Sequence, residues 1–365
     1  MKPKPHIVNL PVYKPGKPIG EVQKEFGLSE VIKLASNENP YGPAPSAKAA
    51  ILGVLDEISL YPDGSAVELT SELAGRLGVE NDQILFGCGS DEIIALIARA
   101  FFLPGDETIM ADQTFSVYKS NADIEGAVSI EVPLKNGTHD LDSMLAAVTE
   151  KTKVIWICNP NNPTGTIVSR TALESFLDAV PSSVLVVLDE AYYEYVTDSD
   201  YPDGIALLPR YRNLAVLRTF SKIYGLAALR IGYGVASPGV IQLINQVREP
   251  FNTTALAQAA ARAALNDQAY VEECRDRNAR GIVQLQGEFD RLGLDYYPAH
   301  GNFIMVDVRK PAVDVFQQLM RRGVIVRAGF GLYPTWVRVT VGSAEQNRVF
   351  IRELEAVLQE ESVQA

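Results

Sequence analysis

The chain has 365 residues, 47% of them hydrophobic and 21% charged, with a formal net charge of -12. That length holds one large domain or two ordinary ones, and the balance excludes a disordered or fibrous chain. The acidic surplus argues against nucleic acid and anionic membrane surfaces as partners.

Residues 1–30 are rich in Pro, Lys and Gly and read as an extended arm that includes Tyr13. No apolar h-region follows Met1, so no secretory signal is visible, and no apolar run approaches the ~20 residues of a membrane span. Cys88, Cys158 and Cys274 are too far apart for a disulfide framework or a zinc spacing, and they fit a reducing cytoplasm. Asn37-Glu38-Asn39-Pro40-Tyr41-Gly42-Pro43 is a loop by its turn chemistry and could serve as a lid; Tyr61-Pro62-Asp63-Gly64 carries a turn signal.

From there apolar runs alternate with amphipathic stretches. The expected strands are Gln83–Phe86, Glu107–Ala111, Val128–Val132, Val154–Cys158, Val184–Leu188, Asn213–Leu217 and Ile231–Ala236. Between them lie helical patterns such as Asp91–Phe102, where Ile93, Ile94, Ile97, Ala98 and Phe101 share a face. This alternation predicts an α/β fold, a mostly parallel seven-stranded sheet covered by helices on both faces. Val184–Leu188 is apolar throughout, as a central strand should be. A long charged helix from Asp267 to about Leu292 leads into a smaller α+β unit with strands at Asn302–Val308, Val324–Arg327 and Val337–Val341 and helices at Asp314–Arg322 and Ala344–Leu358. The expected division is an arm at 1–30, packed on the small unit or a partner, a large unit at 31–266 and a small one at 267–365.

Most of the chemistry-bearing motifs follow expected strand ends, where ligands bind in parallel sheets. Gly87-Cys88-Gly89-Ser90-Asp91-Glu92 opens a helix and is either a phosphate cup or a tight turn with Ser90 as N-cap. Its third glycine position is Glu92, which fails the dinucleotide fingerprint. In Thr114-Phe115-Ser116-Val117-Tyr118 the Phe115 ring could stack on a flat ligand or be core. Asn159-Pro160-Asn161-Asn162-Pro163-Thr164-Gly165 is explained by turn chemistry, yet an Asn there can hydrogen-bond a ring hydroxyl. Asp189, ending the most apolar strand, needs a partner, such as a protonated ring nitrogen, or caps the next helix. Tyr192 follows it and could donate to a phenolic oxygen.

Thr219-Phe220-Ser221-Lys222, with Arg230 beyond it, brings an amine, a hydroxyl and a guanidinium together. That set suits a Schiff-base lysine beside an anchored phosphate, as pyridoxal phosphate requires. Arg327 and Arg338 alternate with apolar residues; either faces outward or forms a fork for carboxylate or phosphate. The histidines, His6, His139 and His300, make no metal spacing, and no G-x-S-x-G elbow occurs.

Together these segments resemble the fold-type I, pyridoxal-phosphate-dependent aminotransferases of class I and II. Within that class the chain is most similar to the histidinol-phosphate aminotransferases. The resemblance runs from residue 37 to the Arg338 strand. It rests most on Asn161-Asn162-Pro163-Thr164-Gly165, Asp189-Glu190-Ala191-Tyr192 and Phe220-Ser221-Lys222-Ile223-Tyr224-Gly225-Leu226 with Arg230-Ile231-Gly232. It implies that Lys222 carries the aldehyde cofactor and then moves the proton. Asp189 would keep the pyridine nitrogen protonated, Asn162 and Tyr192 would hold the ring oxygen, and Phe115 would stack on the ring. Ser90, Asp91, Ser221 and Arg230 would surround the phosphate, with Tyr61 reaching it from the other subunit of a homodimer. Arg338 would clamp substrate carboxylate or phosphate, with Arg327, Tyr13 and Asn37 as further substrate contacts. The implied reaction joins L-histidinol phosphate and 2-oxoglutarate. An aromatic amino-acid aminotransferase, a phosphothreonine decarboxylase-like enzyme and a non-catalytic ligand-binding module are the alternatives.

Overall fold

The structure is a computed structural model that describes residues 2–8, 10, 12 and 16–360. Its strands are β1 (Ile32–Lys33), β2 (Ile84–Gly87), β3 (Glu107–Ala111), β4 (Val128–Val132), β5 (Thr152–Cys158), β6 (Leu185–Asp189), β7 (Leu214–Thr219), β8 (Gly232–Ala236), β9 (Phe303–Asp307), β10 (Val324–Ile325) and β11 (Trp336–Thr340). A 7-stranded sheet has the order β2-β8-β7-β6-β5-β3-β4. All its pairings are parallel except the two that β8 makes, with β2 and β7.

Alternation along the central strands explains why both faces are covered. Ile155, Ile157, Val186, Leu188, Leu214 and Val216 pack into one core. Val154, Trp156, Val187, Ala215 and Leu217 pack into the other, beneath the helix Ser90–Phe101. The register sets Cys158 beside Asp189 and Asp189 beside Leu217, so the carboxyl ends of β5, β6 and β7 open on one edge.

The C-terminal layer pairs β9 with β11 antiparallel and β1 with β10 parallel, around a core that includes Leu34, Phe289, Val306, Val337 and Phe350. β1 therefore belongs to this layer although it precedes the large sheet. The N-terminal segment differs from the extended arm expected of it. Ile19–Phe26 is a helix whose Val22 is fully buried with Ala35, Met320 and Ile325. Ile19, Val22 and Phe26 repeat at helical spacing, and Gly27 closes the helix at φ 67°; the surrounding Pro and Gly hid that signal. The expected strand at 324–327 is only two residues long, and Arg327 instead makes an isolated bridge to Arg338.

One buried ion pair braces the strand ends. Arg218 of β7 donates through Nε to Glu190 Oε2 at 2.8 Å and through an Nη to Asp203 at 2.8 Å. Its guanidinium lies 3.4 Å from the centre of the Tyr193 ring. Glu190 also accepts the Gly204 N–H at 3.0 Å. Removing one partner strands a buried charge, so Glu190→Ala is expected to cost about 3–5 kcal/mol in denaturant unfolding. A loss below about 1 kcal/mol would show that Asp203 alone suffices for Arg218.

Candidate active site

The open edge of the large sheet carries most of the polar side chains singled out in the sequence. Asp189, at the end of β6, is 3% exposed. Its Oδ2 accepts from the Tyr118 hydroxyl at 2.6 Å and its Oδ1 from the Ala191 N–H at 3.1 Å. Burial pushes the carboxyl up to about 6, opposed by those two hydrogen bonds and by Lys222. Lys222 follows β7 in the turn after Thr219 and is half-buried, with Nζ donating to the Ser36 carbonyl at 3.4 Å. Burial first, and Arg338 next, pull its amine down to about 8, against the opposing pull of Asp91 and Glu38. The amine and the carboxylate thus move toward the pH range where proton transfer is efficient.

Above them lies a network spanning both layers. Asn37, 1% exposed and held at φ 56°, donates to Tyr192 Oη at 2.9 Å. Asn162 reaches the same hydroxyl at 3.4 Å. Thr340 of β11 donates to Asn37 Oδ1 at 2.9 Å, and Asn302 donates to its carbonyl at 3.0 Å. Arg338, also on β11, donates to Asn162 Oδ1 and to the Ala35 carbonyl, each at 2.5 Å. Phe303 meets the Tyr192 ring edge-on at 5.0 Å and lies 5.4 Å from the Arg338 guanidinium. Burial raises the Tyr192 phenol far above its ordinary value, so it stays protonated as a donor.

At one side is a cradle for an anion. The helix Ser90–Phe101 starts after Gly89, itself at φ 77°, with its free N–H groups at the cradle. Arg230, at φ 54°, contacts Ser221 Oγ at 3.3 Å, the Ala227 carbonyl at 3.2 Å and Asp91 Oδ2 at 3.5 Å. The cradle admits no extra atoms on its backbone. A Cβ on Gly89 would meet Arg230 Nη2 at 2.4 Å, and one on Gly232 would meet Ser90 N at 2.5 Å. Ser90, Asp91, Ser221 and Arg230 therefore converge, and their donors fit a phosphate. Asp91 faces Arg230 with its carboxylate, so it is the Asp91 main chain that suits the anion.

Other expected residues stand apart. Phe115 is half-buried, edge-on to Tyr118 at 5.6 Å. Arg327 pairs with Arg338 through both main chains, at 3.0 and 2.8 Å. Tyr61 is 82% exposed and stacks on Phe251 at 4.8 Å, which is its ring partner within the chain. Tyr13 lies outside the described residues. Sequence reasoning did not single out Tyr118, Thr340, Asn302 or Phe303. Tyr118 lies in the segment Thr114–Tyr118, Asn302 and Phe303 in the expected strand Asn302–Val308, and Thr340 in the expected strand Val337–Val341, where each reads as an ordinary structural position. Among the described residues no cluster of three or more His, Cys, Asp or Glu could hold a metal, and no helix is long and apolar enough to cross a membrane.

The sequence profile of aminotransferase class I and II matches residues 29–354. The chain is 56% identical to the histidinol-phosphate aminotransferase of Brevibacillus brevis, covering 98% of this chain and 99% of that one. It is 53% identical to the protein of the same name from a Geobacillus species, over 100% of both chains. Among solved structures, the histidinol-phosphate aminotransferase of Sinorhizobium meliloti, in complex with pyridoxal-5'-phosphate, superposes with a TM-score of 0.90 at 28% identity, covering 97% of each chain.

Proposed function

We propose that this chain, which belongs to the class I and II aminotransferase family, transfers an amino group between L-histidinol phosphate and 2-oxoglutarate, giving imidazole acetol phosphate and L-glutamate. Pyridoxal 5'-phosphate is the cofactor of this reading. The observation that carries it is Lys222, half-buried just past the end of β7 and 5.8 Å from the Tyr192 ring, on the same sheet edge as Asp189, in a chain with full-length relatives of that name.

The bound cofactor draws electrons from the carbon bearing the amino group, which makes its proton removable. The chain's own residues do the rest. Lys222 Nζ would hold the cofactor's aldehyde group and would carry the proton to and from the substrate carbon. Asp189 would accept from the ring N–H and keep it protonated. Asn162 and Tyr192 hold the ring oxygen, with Asn37 orienting Tyr192. Phe115 covers a ring face. Ser90, the Asp91 main chain, Ser221 and Arg230 hold the phosphate. Arg338 takes the carboxylate of the oxo acid or the phosphate of the donor, a bidentate task for guanidinium; Arg327, Asn37 and Tyr13 complete the substrate side. The large sheet and its helices supply the cofactor groups from Ser90 to Arg230, and the C-terminal layer, which takes in β1 as well as the small unit, supplies Arg338 and Arg327; in the N-terminal segment Ile19–Phe26 packs on that layer, while Lys4 and His6 reach Glu125 and the Ile124 carbonyl of the large unit.

A homodimer is part of the proposal, with Tyr61 reaching the phosphate of the other subunit. Leu52, Ile58, Leu60 and Val67, near Tyr61 in sequence, are 68, 67, 69 and 58% exposed, an apolar surface that a second copy would cover. The cytoplasm suits three cysteines that are all unpaired.

Comparing kcat/KM for L-histidinol phosphate and L-phenylalanine, with 2-oxoglutarate as acceptor, tests the substrate. Histidinol phosphate is expected to win clearly. Preference for phenylalanine would move the chain to the aromatic aminotransferases, release of carbon dioxide from phosphothreonine would make it a decarboxylase, and failure to bind the cofactor would leave a non-catalytic module.

A further inference from the structure

We propose that Tyr118 is a positioning residue for Asp189. Its phenol fixes the orientation of that carboxylate and holds it anionic for the cofactor ring nitrogen, an inference that rests on the cofactor reading above. Tyr118 sits in the helix Val117–Glu125 and is 0% exposed. Its hydroxyl donates to Asp189 Oδ2 at 2.6 Å, a short charge-assisted bond. Among the described residues, that bond and the one from Ala191 N–H are the two that the carboxylate accepts.

The tyrosine is itself held rigidly. Its ring stacks on Trp156 at 4.9 Å and 10°, and Phe115 meets it edge-on at 5.6 Å. Trp156 Nε1 donates to Thr108 Oγ1 at 2.8 Å, and Thr108 donates to the Val154 carbonyl at 2.9 Å. A run of contacts from β3 and β5 thus ends on the carboxylate at the tip of β6. The phenol cannot swing away without breaking the stack, so neither can Oδ2. Phe115, the expected cover of the ring face, leans on the same tyrosine, which ties two sides of the cofactor site to one side chain.

The other groups facing Asp189 do not replace this contact. Cys158 of β5, Tyr192 and, from the helix Ser90–Phe101, Asp91 give it no positive charge, while Lys222 attracts it from the segment after β7. Hydrogen bonds to a carboxylate favour its charged form. A tyrosine that merely fills the core would leave the charge state of Asp189 unchanged when its hydroxyl is removed.

Tyr118→Phe keeps the ring stack and deletes only the donor. In the cofactor-free full chain, Asp189 has a folded pKa above its unfolded one, so stability is gained as pH falls through the folded value. In the variant that gain is expected to begin about one pH unit higher, read from thermal melts across pH 5–8. In the loaded protein the dissociation constant of pyridoxal phosphate, measured by dialysis, is expected to rise roughly tenfold, and more at pH 6 than at pH 8. An unchanged pH dependence in the cofactor-free chain overturns the coupling. A changed one with unaltered cofactor affinity overturns the positioning role. Wild-type chain that binds no cofactor would instead sink the functional reading, while the melts still report on the coupling. If Tyr118→Phe does not fold, Trp156→Leu, which frees the phenol by removing the ring stacked on it, must show the same shifts in the same directions, and their absence overturns the proposal.

Discussion

Lys222→Ala is expected to abolish turnover while leaving the fold intact. The side chain is half-buried, its amine meets one carbonyl, Ser36, at 3.4 Å, and it lies 5.8 Å from the Tyr192 ring centre. Truncation therefore removes little packing, and a melting temperature close to wild type should result. Catalysis loses both a nucleophile and a proton carrier. Positioned proton transfer alone contributes on the order of 10²–10⁴, so kcat should fall by roughly 10⁴ or more when covalent capture goes with it. The wild-type amine, pulled down to about 8 by burial and by Arg338, should capture pyridoxal phosphate at a rate that climbs with pH up to about 8 and then levels. The neutral amine attacks, and above that pH it is already the dominant form. Borohydride reduction followed by peptide mapping should place the label on Lys222. Turnover near the wild-type rate in the alanine variant, or a label elsewhere, would remove Lys222 from the mechanism.

What could be read from the chain divides along a physical line. The apolar runs that became β5, β6 and β7 are local signals, and the polar residues just beyond them, Asn162, Asp189 and Lys222, stand out because a parallel sheet gathers its strand ends on one edge. Ser221 and Arg230 lie close in sequence, so their convergence on the anion cradle needed only one turn. The contacts of Asn37 with Tyr192 and Thr340 were not legible. They span 155 and 303 positions of sequence and depend on how the C-terminal layer docks. Arg338 taken alone reads as an outward strand residue, and it is the docking of β11 that brings it to Asn162 and Ala35. Tyr118 reads as core by any local rule, and it is core. Only the meeting of its hydroxyl with Asp189 gives it another meaning. The helix Ile19–Phe26 was missed because the proline- and glycine-rich flanks outweighed a short apolar repeat.

Asp189→Asn should separate what the carboxylate costs the fold from what it gives the reaction. Burial raises its pKa from 3.8 to about 6, so the folded state binds the proton more tightly than the unfolded state does. The sign follows: the charge weakens the fold as pH rises through about 6, and the penalty is fully present at pH 8. Asparagine has nearly the same shape without the charge, which would recover on the order of 2 kcal/mol, offset in part by the weaker hydrogen bond left to Tyr118. The cofactor-free variant should melt no lower than wild type at pH 8, and any advantage should shrink as pH falls below about 6 and vanish only below the unfolded value of 3.8, where both states are protonated. Activity should move the other way. Without a negative charge the ring nitrogen loses its proton, and removing one preorganised electrostatic partner costs about 10²–10³ in kcat. Such opposition between stability and rate marks a residue kept for chemistry. A variant that melts markedly lower at pH 8 yet turns over normally would instead make Asp189 a structural partner of Tyr118 and the Ala191 main chain.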